Sequence, residues 1–253
     1  NCNVNATGAD ATGYIQFTGS SGTFGGESND CNDGAADADP GQMKWGGIRI
    51  KGTVYSDEGS TAYNCSTDNL TINVSVNGGA NTAYTCTAAG GTYTIAATAP
   101  AAAADPIVIS IDSVEIPDAT TATLATSTTA AIAGLDLYQN RLVVRHENVG
   151  PMTNAKLATG DNADAGIRYA VSAGALTVES GSELHVWTGK TFTPGGTVTT
   201  QGTGDLHVDD SATATLDTAT SAIARDVTVD TGATLNINAT TTVDGGAITT
   251  GGT

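Results

Sequence analysis

A short apolar–polar–apolar triplet that returns at a fixed interval constrains this chain more than any other feature. Leu-Thr-Val at 176–178, Leu-His-Val at 184–186, Leu-His-Val at 206–208, Val-Thr-Val at 227–229 and Leu-Asn-Ile at 235–237 share it. Leu184, Leu206, Val227 and Ile248 stand 22, 21 and 21 residues apart. Half-repeats of about 8 residues run from Leu176 to Leu184 and from Val227 to Leu235. Short strands cut by Gly, Asp and Thr turns, at ~20 residues per coil, are the signature of a β-solenoid, in which a coil buries its apolar face by stacking on the next. The pattern predicts β-solenoid repeats of parallel β-helix type over 174–253, with meandering antiparallel hairpins as the competing geometry. Leu176, Val178, Leu184, Val186, Leu206, Val208, Val227, Val229, Leu235 and Ile237 should point inward.

The rest of the chain reads as all-β too. Thr, Val, Gly, Ala, Asn and Ser dominate, and charged residues are 14% of the total. β-Branched residues favour strands, while Gly and Asn favour turns. The alanine runs Ala101 to Ala104 and Ala130-Ala131 lie beside Pro, Thr and Gly without a helical stripe, so they read as loop or packing positions. With 26 acidic against 9 basic residues, the formal charge is −17. Such a chain is repelled by phosphate backbones and anionic membranes, which argues against a nucleic-acid partner. No run of ~18 apolar residues offers a membrane span. No signal peptide opens the sequence, and Asn1 reads as lying at or near a processed N-terminus.

Cys2, Cys31, Cys65 and Cys86 all fall in the first third. There is no CxxC pair, and His146, His185 and His207 are far downstream, which leaves a zinc-cysteine site unsupported. An even count in one region implies two disulfides and an oxidising compartment. Three connectivities are open, and Cys2–Cys31 with Cys65–Cys86 is favoured because each closes a local loop. Residues 1–47 read as an irregular disulfide-bearing segment with one short strand at Tyr14 to Phe17. Its acidic stretch offers Asp30, Asn32, Asp33, Asp37 and Asp39 as candidate calcium ligands, since calcium prefers several oxygens on a Gly-containing loop. The spacing departs from an EF-hand, with Gly34 at the fifth position counted from Asp30. A solvated acidic loop is the plainer reading.

From Ile48 the period turns to two. Ile48 to Tyr55, Leu70 to Val76, Ala83 to Cys86, Thr92 to Ile95 and Ile107 to Ile111 read as strands separated by turn signals such as Ser56-Asp57-Glu58-Gly59 and Asn77-Gly78-Gly79. They predict a small Ig-like β-sandwich over 48–115. Gly52-Thr53-Val54-Tyr55-Ser56-Asp57-Glu58-Gly59, a strand ending at Asn77-Gly78, and Gly91-Thr92-Tyr93-Thr94-Ile95 resemble the carboxypeptidase-regulatory-like or Cna-B-like sandwich. The resemblance covers about a quarter of the chain. The family's usual Asp ahead of the G-x-Y strand is missing, and Lys51, placed for an isopeptide, has no identifiable acidic partner. The resemblance implies a stalk or spacer of a bacterial surface protein, here joined to a C-terminal solenoid.

Residues 116–173 read as a β-rich connection. A Thr/Ala stretch from Asp118 to Ala133 precedes the strands Gly134 to Tyr138 and Arg141 to His146. Arg141, Arg145 and His146, followed by Glu147, form a cationic cluster whose plain role is to pair with the acidic surface. The segment from Gly150 to Ala173 shows no period.

No nucleophile elbow, zinc-protease helix, phosphate loop or dinucleotide fingerprint is present. His185 and His207 occupy one repeat position on successive coils and should stack about 4.8 Å apart, with Asp209 and Asp210 near the second. The next coil has Thr228 there, and no aromatic groove is evident, so the pair reads as a solvent-facing ladder and no catalytic residue is assigned. Asn5, Asn64, Asn69, Asn73 and Asn238 fit the N-x-[ST] acceptor pattern for glycosylation. The expectation is a secreted, extracellular or cell-surface, non-enzymatic structural protein, self-associating head to tail in a fibre, sheath or appendage. The alternatives are a monomeric adhesin or carbohydrate-binding stalk and, third, a polysaccharide-active β-helix enzyme.

Overall fold

The computed structural model describes residues 47–57, 59–111, 118–217 and 219–251. The Tyr14 to Phe17 strand, the Cys2–Cys31 pairing, the calcium candidates Asp30 to Asp39 and the acceptor Asn5 lie outside the described residues. The described chain is all-β with two short helices.

Its first part comprises β1 (Gly47–Tyr55), helix α1 (Cys65–Asp68), β2 (Thr71–Val76), β3 (Thr82–Thr85), β4 (Thr92–Thr98) and β5 (Pro106–Ile111). The alternation read from Ile48 onward appears as burial. Ile48, Ile50 and Val54 of β1 and Tyr93, Ile95 and Ala97 of β4 point to one face, and the two strands pair antiparallel with Ile50 opposite Ile95. That face shares one apolar cluster with Ile72, Val74, Ile107, Ile109 and Ile111 of β2 and β5. Cys65 and Cys86, both fully buried in this cluster, form a disulfide with their Cα atoms 5.5 Å apart. It joins the start of α1 to the residue after β3, rather than strand to strand.

The chain continues with β6 (Ala119–Leu124), β7 (Leu137–Tyr138), β8 (Arg141–Val144), helix α2 (Asn154–Gly160), β9 (Tyr169–Ser172), β10 (Ala175–Val178), β11 (Glu183–Val186), β12 (Thr191–Phe192) and β13 (Val198–Thr200). Then follow β14 (Leu206–Val208), β15 (Thr213–Leu216), β16 (Ser221–Ile223), β17 (Val227–Val229), β18 (Thr234–Ile237), β19 (Thr241–Val243) and β20 (Ile248–Thr250). Strands one coil apart pair in parallel and in register, Leu184 with Leu206 and Leu206 with Val227. The solenoid is therefore a parallel one, not a run of hairpins. The eight-residue step is not half a coil, because each coil has three faces, as in β14, β15 and β16.

The inward stack Leu142, Leu184, Leu206 and Val227 is buried, as is Val144, Val186, Val208 and Val229. In the last described coil Leu235 is half-buried, while Ile237 and Ile248 are 47% and 59% exposed. Among the described residues Ile237 is paired on one side alone, opposite Leu216.

The solenoid begins earlier than the repeat suggests. β6 pairs in parallel with β8, and β8 with β11, which extends the stack back to Ala119. The aperiodic segment 150–173 belongs to the long, irregular coil between β8 and β11. There α2, capped by Thr153, buries Leu157 in the solenoid core, and the Asn154 amide donates to the carbonyls of Gly174 and Thr197 at 2.8 and 3.0 Å. β5 and β2 then add to β6 antiparallel, so one nine-stranded sheet runs from β3 to β20. The sheet facing β1 and β4 is thus a continuation of a solenoid face. β7 pairs in parallel with β1, Tyr55 opposite Tyr138, and completes a three-stranded sheet lying over the nine-stranded one. No helix among the described residues is long and apolar enough to cross a membrane.

Candidate functional site

One row on the outer face of the nine-stranded sheet reads Thr121, Val143, His185, His207, Thr228 and Thr249. Thr121 and Val143 are buried, and the Thr121 hydroxyl donates to the carbonyl of Asp136 just before β7. The smaller sheet ends at Tyr138, and His185 is the first residue of the row beyond that margin. Strand alternation puts Glu183 on the same face, two residues before His185.

The histidines are not a solvent-facing ladder. His185 is 4% exposed, and its ring centroid lies 4.6 Å from that of His207 in an edge-on arrangement. Glu183 stands between them, Oε1 at 3.0 Å from His185 Nδ1 and 3.6 Å from His207 Nδ1. The opposite ring nitrogens meet aspartates from the following coil: Asp209 Oδ2 is 3.4 Å from His185 Nε2, and Asp230 Oδ2 is 2.8 Å from His207 Nε2. Asp209 also accepts from the Thr188 hydroxyl and backbone N–H, and Arg141 Nε lies 2.9 Å from Glu183 Oε1.

The electrostatics follow from this alternation of acid and imidazole. Burial works against the Glu183 carboxylate, but hydrogen bonds from His185 and His207 and the Arg141 charge outweigh it and hold its pKa down to about 2. The hydrogen bond to Glu183 raises His207 to about 9 against partial burial, helped by Asp230. Asp209, despite burial, is held well below the usual carboxylate range by His185, Thr188 and the Asp210 N–H. The ligand atoms of Glu183, His185 and His207 all lie within 4.8 Å of one another, as do those of His207, Asp209 and Asp230.

Aromatic rings do accompany the histidines, contrary to the reading of the sequence. Trp187 lies 5.8 Å from the His185 ring and 5.4 Å from Tyr138, which stacks on Tyr55 at 5.1 Å and 6°. An open cleft of about 390 Å³ adjoins the row, with Asp57, Asn140, Arg141, Glu183, Asp205 and Arg225 among its lining residues. Its cations are paired as the acidic surface implied: Arg141 with Glu183, and Arg225 with Asp205 through 2.9 and 2.6 Å contacts. Arg145 pairs with Glu147 at 2.7 Å.

The histidine pair and Asp209 were readable from the repeat. Asp230 and Glu183 were missed, although the 21-residue period makes Asp230 the equivalent of Asp209 and period-two alternation puts Glu183 beside His185. Asp210 is exposed and does not join the cluster through its side chain. Of the glycosylation candidates, Asn64, Asn69 and Asn238 are exposed. Asn73 is 5% exposed inside β2, with its amide 3.4 Å from Asp164, which leaves no surface there for a glycan.

The fold defines a β-solenoid protein with a histidine–carboxylate row on one outer face. No protein-family model, curated protein sequence or solved structure matches the chain.

Proposed function

We propose that the chain is a secreted, non-enzymatic structural protein, a subunit of an extracellular fibre, sheath or appendage that joins its neighbours head to tail. The observation that carries this reading is the single nine-stranded sheet from β3 to β20. One ladder of hydrogen bonds joins β2, β3 and β5 to the solenoid strands, as suits a rigid spacer. The Cys65–Cys86 disulfide supports an oxidising, extracellular setting. In this reading residues 48–115 serve as the Ig-like, Cna-B-like stalk module that their motifs resemble. A heterologous contact repeated without closure produces a filament. Negative-stain images and light scattering on the full-length protein test it: filaments, or a mass that grows with concentration, are expected. A stable monomer at high concentration overturns it.

A second reading, a glycan-binding stalk, is favoured by the neighbouring rings of Tyr55, Tyr138 and Trp187, of which Tyr55 and Trp187 are half-buried and Tyr138 is buried between them. Rings with adjacent carboxylates and guanidinium groups suit a sugar, which offers an apolar face and many hydroxyls. Binding on a glycan array, without turnover and weakened by Trp187→Ala, is its expected outcome.

A further inference from the structure

We propose that Glu183, His185 and His207 form a site for a zinc-class divalent transition-metal ion on the outer face of the solenoid, with Asp209 and Asp230 orienting the two imidazoles. The strand register builds it. Glu183 and His185 lie on one strand two residues apart, and His207 sits opposite His185 on the next. A tetrahedral zinc ion with bonds of about 2.0–2.1 Å keeps its ligand atoms about 3.3 Å apart. Glu183 Oε1 already lies 3.0 and 3.6 Å from the two Nδ1 atoms.

A separate observation points the same way. Metal-bound histidines characteristically give their other ring N–H to a carboxylate, which fixes the tautomer and aims the free lone pair at the ion. Both histidines have that arrangement here, through Asp209 at 3.4 Å and Asp230 at 2.8 Å. The charge balance fits as well. Glu183, Asp209 and Asp230 bring three carboxylates to the cluster, against the Arg141 guanidinium on Glu183. The ion would take the place of the protons that the imidazoles otherwise share with Glu183, and with the imidazoles then neutral two negative charges remain for it to offset.

Two nitrogen donors select a borderline transition metal over calcium or magnesium, which prefer all-oxygen sites. The same criterion places the ion between the two imidazoles rather than among His207, Asp209 and Asp230, where one imidazole faces two carboxylates. Three protein ligands leave a fourth position for water. The ion would staple β11 to β14 through side chains, in addition to the backbone ladder that already joins them.

The test uses purified full-length protein stripped with chelator and dialysed against Zn²⁺ or Co²⁺. One ion per chain retained at this site, the visible bands of tetrahedral Co²⁺, and a rise in unfolding temperature with Zn²⁺ are expected. His207→Gln, at a half-buried position, should abolish all three while keeping the far-ultraviolet circular dichroism of the metal-free protein. Asp230→Asn, which leaves all three ligands in place, should weaken binding about 10–100-fold. Zn²⁺ binding that is absent from the folded wild type, or unchanged in folded His207→Gln, would overturn the proposal.

Discussion

His146 Nε2 accepts the backbone N–H of Thr191 at 3.1 Å, tying the segment after β8 to the start of β12. That bond needs a neutral imidazole. Burial and the Lys190 and Arg145 charges push the His146 pKa below its ordinary 6.5, against a weaker opposing pull from Glu147. Below about 6.5 the unfolded chain therefore takes up a proton before the folded one. The His146 contribution to stability is complete above that pH and is lost as pH falls through 6.5 towards the folded-state value. Denaturation midpoints measured from pH 8 to pH 5 should decline more in the wild type than in His146→Gln. Parallel curves would remove His146 from the pH dependence.

Leu206 is 1% exposed between Leu184 and Val227. Truncation to Ala opens a cavity in the aliphatic stack and should cost about 2–5 kcal/mol. Because coils contact mainly their neighbours, hydrogen exchange should quicken first in the coils on either side. Protection around β1 and β4 should change little. Exchange that rises equally throughout would mean that the two apolar clusters unfold as one.

Peptide mapping without reduction should recover Cys65 and Cys86 as one linked pair, and replacing both with Ser should cost about 2–4 kcal/mol. Alkylation of Cys65 in native, unreduced protein would contradict the pairing and with it the argument for an oxidising compartment.

Gly204 lies at a coil corner where an added Cβ would come 2.7 Å from the Ser182 carbonyl oxygen of the coil before and 3.0 Å from Thr200 Cβ. Both neighbours are held: Thr200 Oγ1 donates to the Gly204 carbonyl at 2.8 Å, and Ser182 donates its N–H to the Glu179 carbonyl at 3.1 Å and accepts from Arg168 Nε at 3.0 Å. Gly204→Ala should destabilise by about 1–3 kcal/mol. An unchanged midpoint in chemical denaturation would show that the corner can give way.

The rows Leu184, Leu206 and Val227 were legible because aliphatic residues alternate there with Thr and His at a constant period. β6 was not. Its Thr120, Thr121 and Thr123 are buried by virtue of their hydroxyls, which donate to the Gly166 carbonyl, the Asp136 carbonyl and the Glu147 carboxylate. Hydropathy patterns do not register a threonine buried for that reason. The site divides in the same way. The repeat brings the histidines and aspartates together, so period alone finds them. The approach of Tyr138 and Tyr55 to Trp187 depends on β7 pairing with β1 from far along the chain, a contact with no local signature.

The in-register stacking has a consequence for how such a chain can change its size. Leu184 and Val227 occupy equivalent places on coils either side of Leu206. Excision of residues 206–226 would join Asp205 to Val227 and set Val227 directly on Leu184, aliphatic on aliphatic. The molecule would shorten by one strand spacing, about 4.8 Å, with every remaining turn still feeding a strand of the right face. Its length is in this sense a count of coils rather than a continuous quantity, and duplication or loss of one coil is a far milder event than loss of any single residue within it.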